Sequence, residues 1–174
     1  MTQPYLFQTD HFTFRPILES DLSYLLDLDG DLETMQFFPG GARTEDEIKN
    51  KIKTYSEFYT KNKYGVFMVF DISSGDFIGR AGFAPIENDE IEIGYLLSKK
   101  HWGQGHATKI VKDLLTWANT HIPKDKIIAF TPVNHIASER VMQKAGMTYV
   151  KKDVIKGLDC VIYEYKLLKN SAPL

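Results

Sequence analysis

Thiol chemistry is nearly missing from this 174-residue chain, which holds one cysteine, Cys160. A lone cysteine closes no disulfide within the chain and suits a reducing compartment. Cys160 sits in a strand-like apolar run and reads as core, not as a nucleophile. An excess of one charge is missing too: 21 Lys and Arg stand against 23 Asp and Glu, for a net charge of −2. The basic side chains are scattered, so no electrostatic footprint argues for nucleic acid. No apolar run approaches the roughly 20 residues that cross a bilayer. Met1 to Asp10 has no basic region followed by an apolar stretch, so no secretory signal is expected. His101, His106, His121 and His135 have no i,i+4 pairing and no cysteine partners, so no metal site is expected. No segment repeats. What is left is a cytoplasmic, single-domain chain over residues 1–174, long enough for a substantial core.

Periodicity and turn residues divide that chain. Phe12–Pro16 alternates as a short strand, and Ser20–Leu28 reads as a short helix with Ser20-Asp21 as its capping region. Asp31–Phe38 suggests another turn or two of helix, stopped by Pro39-Gly40-Gly41. Thr44-Glu-Asp-Glu47 is a capping box, and Ile48, Ile52, Tyr55 and Tyr59 then share one helical face. Residues 66–71 and 77–83 are strands joined by a hairpin turn at 73–76, and Asn88-Asp89 turns the chain into a strand at 90–97. Further on, 126–130 reads as a strand, 134–145 as a short helix, and 148–154 and 160–167 as strands paired across Lys156-Gly157. Ser171–Leu174 reads as a loose tail. Hairpins first and strand–helix–strand later imply a mixed sheet flanked by helices, an α/β (α+β) architecture.

The chemistry concentrates in Glu92–Lys109, a strand, a loop with Gly103 and Gly105, and then a helix. Ala107, Ile110, Val111, Leu114, Leu115 and Ala118 give that helix an apolar face from its first turn. Glycines before a helix start let main-chain N–H groups curl around an anion at the positive end of the macrodipole. The loop is neither a Walker loop, since no Gly-Lys-Ser/Thr closes it, nor a dinucleotide fingerprint, since Thr108 stands where a third glycine belongs. Taken alone, the two glycines fit a bare strand-to-helix turn as well as a phosphate socket.

A second segment, Asn134–Met147, opens on an N-cap type of residue and closes on Gly146, a C-cap type. The ordered pair of segments resembles the GCN5-related N-acetyltransferase (GNAT) superfamily. More narrowly it is similar to the RimJ/RimL-type ribosomal-protein N-acetyltransferases. The matching residues are Glu92-Ile93-Gly94-Tyr95, then Trp102-Gly103, Gly105 and Ala107-Thr108, then Asn134, Ala137-Ser138, Arg140-Val141, Lys144 and Gly146. The resemblance spans Phe12–Pro16 to Tyr163–Tyr165. It implies a mostly antiparallel mixed sheet in which the parallel strands 90–97 and 126–130 splay apart around the pantetheine arm of acetyl-CoA. The arm is then expected along Tyr95, Leu96 and Leu97, and the diphosphate on the amides of Gly103, Gln104, Gly105, His106 and Ala107, with Thr108 near the helix start. Trp102 takes the place of the wider superfamily's Gln or Arg, as in the RimJ/RimL branch, and is read as a packing residue.

The same resemblance assigns the transfer chemistry. Glu92 is the base candidate, with Glu90 as a solvent-facing neighbour; alternation puts Ile91, Ile93, Tyr95 and Leu97 on one face and Glu90, Glu92 and Gly94 on the other. The superfamily's usual acid, a tyrosine seven residues after the motif asparagine, is replaced by Val141. Ser138 then becomes the group that bonds the sulfur or carbonyl, and Asn134 a contact to the cofactor. The acceptor is an amine, either a protein N-terminus or a small molecule such as a polyamine, amino sugar or antibiotic. A peptide α-amine with a pKa of roughly 8 costs about 1.4 kcal/mol to deprotonate at pH 7, and a lysine amine near 10.4 about 4.6. A modest base therefore serves an N-terminal acceptor. A homodimer, and a non-catalytic acetyl-CoA sensor that has lost turnover with its tyrosine, complete the set of readings.

Overall fold

Local chemistry places the first long helix. Thr44 Oγ1 accepts the Glu47 amide while the Glu47 carboxylate accepts the Thr44 amide, which closes the capping box. Helix α2, Glu45–Asn62, follows and buries Ile48 and Ile52. It ends at Lys63, in the left-handed conformation. This computed structural model describes residues 6–168. The first five residues and the tail expected at Ser171–Leu174 lie outside the described residues.

The strands are β1 (Phe7–Gln8), β2 (Phe12–Pro16), β3 (Val66–Asp71), β4 (Phe77–Pro85), β5 (Ile91–Leu97), β6 (Lys126–Pro132), β7 (Thr148–Ile155) and β8 (Leu158–Lys166). Their hydrogen-bonded order is β1-β2-β3-β4-β5-β6-β8-β7; β5 and β6 pair in parallel, and the sheet is otherwise mostly antiparallel. Alongside α2 the helices are α1 (Leu22–Asp29), α3 (His106–His121) and α4 (Ile136–Lys144). This is the mixed α/β architecture expected from the chain's pattern.

Contacts divide the chain into two compact units. The first comprises residues up to Gly82 together with Tyr95–Gln104. Its core joins Ile17, Leu25, Leu28, Met35, Ile48, Ile52, Val66, Met68 and Leu96. This unit also holds one buried ion pair and one partly buried one. Arg80 Nε donates to both carboxylate oxygens of Asp29 at 3.0 and 3.1 Å, and Arg15 grips Asp21 through two bonds of 2.7 Å. Asp21 also accepts the Leu18 amide, so its carboxylate shapes the turn that leads into α1. Asp31–Phe38 departs from expectation, forming turns and no helix. There the Asp31 carboxylate takes the Thr34 amide at 2.7 Å and the Thr34 hydroxyl reaches back to the Leu28 carbonyl. Such side-chain bonds compete with the helical ladder.

The second unit comprises Phe83–Gly94 and the chain from Gly105 onward. Here α3 buries Ile110, Val111, Leu114, Leu115 and Ala118, the stripe read from its spacing. Burial of each larger side chain stabilises by about 1.5–3 kcal/mol. The β7–β8 hairpin turns at Lys156 and Gly157, both at positive φ, and so brings Ile155 opposite Leu158. Cys160 is buried within β8, and burial pushes its thiol up, as suits a core residue.

Candidate functional site

In β5, Ile91 and Ile93 are buried and Glu92 between them is half-buried. Glu92 stands opposite Ile128 of β6, the position at which the two parallel strands register. Glu90, just before the strand, bonds Lys126 at 3.0 Å, and that contact raises the lysine's pKa. Glu90 is therefore an ion-pair partner of Lys126, and Glu92 is the carboxylate that lies within β5 itself. The alternation expected along β5 breaks at its end, where Leu96 and Leu97 are both buried. Leu96 belongs to the first unit's core. Its carbonyl points at β4, where a Cβ on Gly79 would lie 2.2 Å from that oxygen. The Ser98 amide likewise donates to Ile78 of β4. Main-chain groups alternate sides along a strand, so those of Tyr95 and Leu97 face away from β4. The expected arm contacts thus divide: Tyr95 and Leu97 offer main chain away from β4, and Leu96 does not.

The loop after β5 is held by its own side chains. The Trp102 indole donates to the Leu97 carbonyl at 2.8 Å, and the Gln104 amide donates to the Lys100 carbonyl at 2.9 Å. Trp102 is 40% exposed and, beyond the packing role expected of it, acts as a tether to the end of β5. Lys99 is engaged as well, bonding Glu33 at 2.5 Å. Gly103 and Gly105 adopt φ of 72° and 77°. Only glycine takes such angles cheaply, and successive amides around left-handed residues form an anion-binding concavity. Beyond the adjoining residues, no heavy atom lies within 4 Å of where a Cβ on either glycine would sit. The loop surface is thus open, and what requires the glycines is their conformation rather than crowding. Gly105 is the N-cap of α3 and has no side chain to accept from the first helical amides, those of His106, Ala107 and Thr108. This cradle fits the diphosphate of acetyl-CoA.

Helix α4 starts later than its sequence suggested. The capping position is His135, not Asn134, and no side-chain cap is made there. Asn134 stands exposed in the preceding turn. The His135 carbonyl accepts the amides of Ser138 and Glu139 at 3.1 and 3.2 Å. Ser138, in the first turn, is 8% exposed. The His135 ring lies 3.4 Å from the Thr131 hydroxyl, and burial lowers its pKa. Val141 is half-buried and supplies no acid. Among the described residues, no group of three His, Cys, Asp or Glu is placed to hold a metal ion, and no helix is long and apolar enough to cross a membrane.

Comparison with known proteins extends this geometry. Residues 11–148 match the family described as Acetyltransferase (GNAT) domain. The Bacillus subtilis (strain 168) protein YkkB is 29% identical over 168 residues, which cover 91% of this chain and 94% of YkkB. RimL, a ribosomal L7/L12 alpha-N-protein acetyltransferase solved with coenzyme A, superposes with a TM-score of 0.79 at 18% identity, over 94% of this chain and 98% of that one. Spermidine N-acetyltransferase from Vibrio cholerae, solved with CoA and spermine, gives 0.76 at 18% identity, over 91% and 97%. At such identities these two likenesses concern the fold.

Proposed function

Given that this chain belongs to the GNAT acetyltransferase family and is an acyltransferase that uses acetyl-CoA, we propose that it acetylates protein N-terminal α-amines in the manner of RimJ/RimL enzymes. The observation that carries the reading is the exposed loop in which Gly103 and Gly105, both at positive φ, lead straight into α3. In this reading the amides of 103–107 take the diphosphate, with Thr108 beside them. Tyr95 and the Leu97 amide bond the pantetheine arm, and exposed Asn134 contacts the cofactor.

Transfer proceeds by direct attack. Glu92 accepts a proton from the ammonium through water, and the neutral nitrogen adds to the thioester carbonyl. As the C–N bond forms and the C–S bond breaks, the nitrogen gives up its second proton, which passes to the departing CoA thiolate, so that the products are the amide and the CoA thiol. Ser138 donates to the carbonyl oxygen or the sulfur while charge develops there. The reading invokes no acyl-enzyme, since Cys160 is buried and burial pushes its thiol up, away from the thiolate a nucleophile needs.

A small polyamine is the second acceptor class, supported by the likeness to a spermidine acetyltransferase solved with spermine. Thiol release from acetyl-CoA, measured over N-terminal peptides and over spermidine, separates the two. Faster release with peptides supports the proposal, and faster release with spermidine transfers it to the second class. If acetyl-CoA raises the Tm but no amine releases thiol, the chain is a sensor and the proposal fails.

A further inference from the structure

We infer that Tyr163 is a positioning residue for acetyl transfer, pinning α4, and with it Ser138, to β8. The inference rests on the reading above, in which Ser138 meets the thioester. Tyr163 lies within β8, opposite Ala129 of β6 and Tyr149 of β7. It is 3% exposed, and its ring packs edge-on against Tyr149 at 5.7 Å. Its hydroxyl donates to Glu139 Oε1 at 2.9 Å and accepts from Gln143 Nε2 at 2.9 Å. Glu139 and Gln143 are four residues apart, so one buried hydroxyl engages one full turn of α4 by both its donor and its acceptor.

Helix α4 needs such an anchor. It has nine residues and no side-chain N-cap, and isolated helices of that length are unstable in water. Within it, Ser138 and Met142 are the buried residues. Met142 fixes depth through packing that is tolerant of rotation. Two directional bonds from Tyr163 fix the rotation about the helix axis. Glu139 directly follows Ser138, so the rotation set at Glu139 is also the rotation of Ser138. With the Cα atoms about 2.3 Å from the axis and the hydroxyl farther out, a turn of about 10° moves Ser138 Oγ by roughly half an ångström. Displacements of that order matter where a donor must meet a developing charge.

The experiment compares wild type, Tyr163→Phe, Ser138→Ala and the double variant, with Glu139→Gln as the conservative control. Tyr163→Phe removes one oxygen and keeps the packed ring. Hydrogen exchange, read on the free protein, is expected to quicken about tenfold at the amides of 138–143 in Tyr163→Phe. Glu139→Gln, which retains an acceptor, keeps the slow exchange. In turnover, Tyr163→Phe is expected to lower kcat about tenfold with KM for acetyl-CoA within twofold. In the Ser138→Ala background the same change lowers kcat less than twofold. Unchanged exchange in α4 overturns the clamp. An equal kcat loss in both backgrounds shows that Tyr163 does not act through Ser138 and overturns the positioning role while leaving the transferase reading intact. An inactive wild type overturns the transferase reading and the positioning role with it, whereas exchange still reports on the clamp.

Discussion

A side chain at residue 105 meets no obstacle, yet the backbone there stands at φ 77°, so the cost of replacing Gly105 is conformational. A β-branched residue avoids that region. Gly105→Val is expected to flip the loop, turn its amides away and weaken acetyl-CoA binding at least tenfold by calorimetry. Binding within twofold of wild type would remove the loop from the site. For Glu92 the expected loss falls on turnover: Glu92→Gln should lower kcat about 100-fold, at the low end for a positioned base, with acetyl-CoA affinity unchanged. Equal kcat would reassign the base to water. Asp71 offers a test away from the site. Its carboxylate accepts from the Ser73 hydroxyl and from the amides of Ser73 and Ser74, which lowers its pKa from 3.8 to about 2. A pKa depressed by folding stabilises fully above the unfolded value and is lost as pH falls through the folded one. The Tm gap between wild type and Asp71→Ala should therefore be constant above about pH 4 and close towards pH 2. A gap independent of pH would contradict this account of the turn.

Elements were legible where the signal is local. The capping box of α2, the apolar stripe of α3 and the hairpin turns at 73–76 and 156–157 each stand in a few neighbouring residues. Reading failed where local side chains compete or where partners are distant. Asp31 and Thr34 draw backbone groups out of a helix that spacing alone suggested. Asn134 looks like a cap but lies one residue before the position that opens α4. The Arg80–Asp29 pair joins β4 to the end of α1 across 51 residues, which no spacing rule detects. Both side chains are buried, at 10% and 3% exposure, so removing one strands the other charge. Arg80→Ala should cost about 3–5 kcal/mol in urea unfolding, and replacing both partners by apolar residues should recover much of that. A loss under 1 kcal/mol would mean that the carboxylate finds water or another donor.

At the scale of the molecule, two short motifs in order pointed to the fold and to the acyltransferase class, because their glycines, serine and asparagine stand at fixed places along one chain. The orientation of Leu96 toward β4 and the bonds from Tyr163 to α4 depend on long-range packing and are invisible in spacing. The acceptor is least legible, since no motif in the chain encodes the shape of an amine pocket. Everything proposed for function begins with coenzyme A lying on the loop before α3. A crystal structure of the protein with CoA tests that most directly: the diphosphate oxygens should sit within about 3 Å of the amides of 103–107. CoA bound elsewhere, with those amides turned away or covered by side chains, would contradict the account.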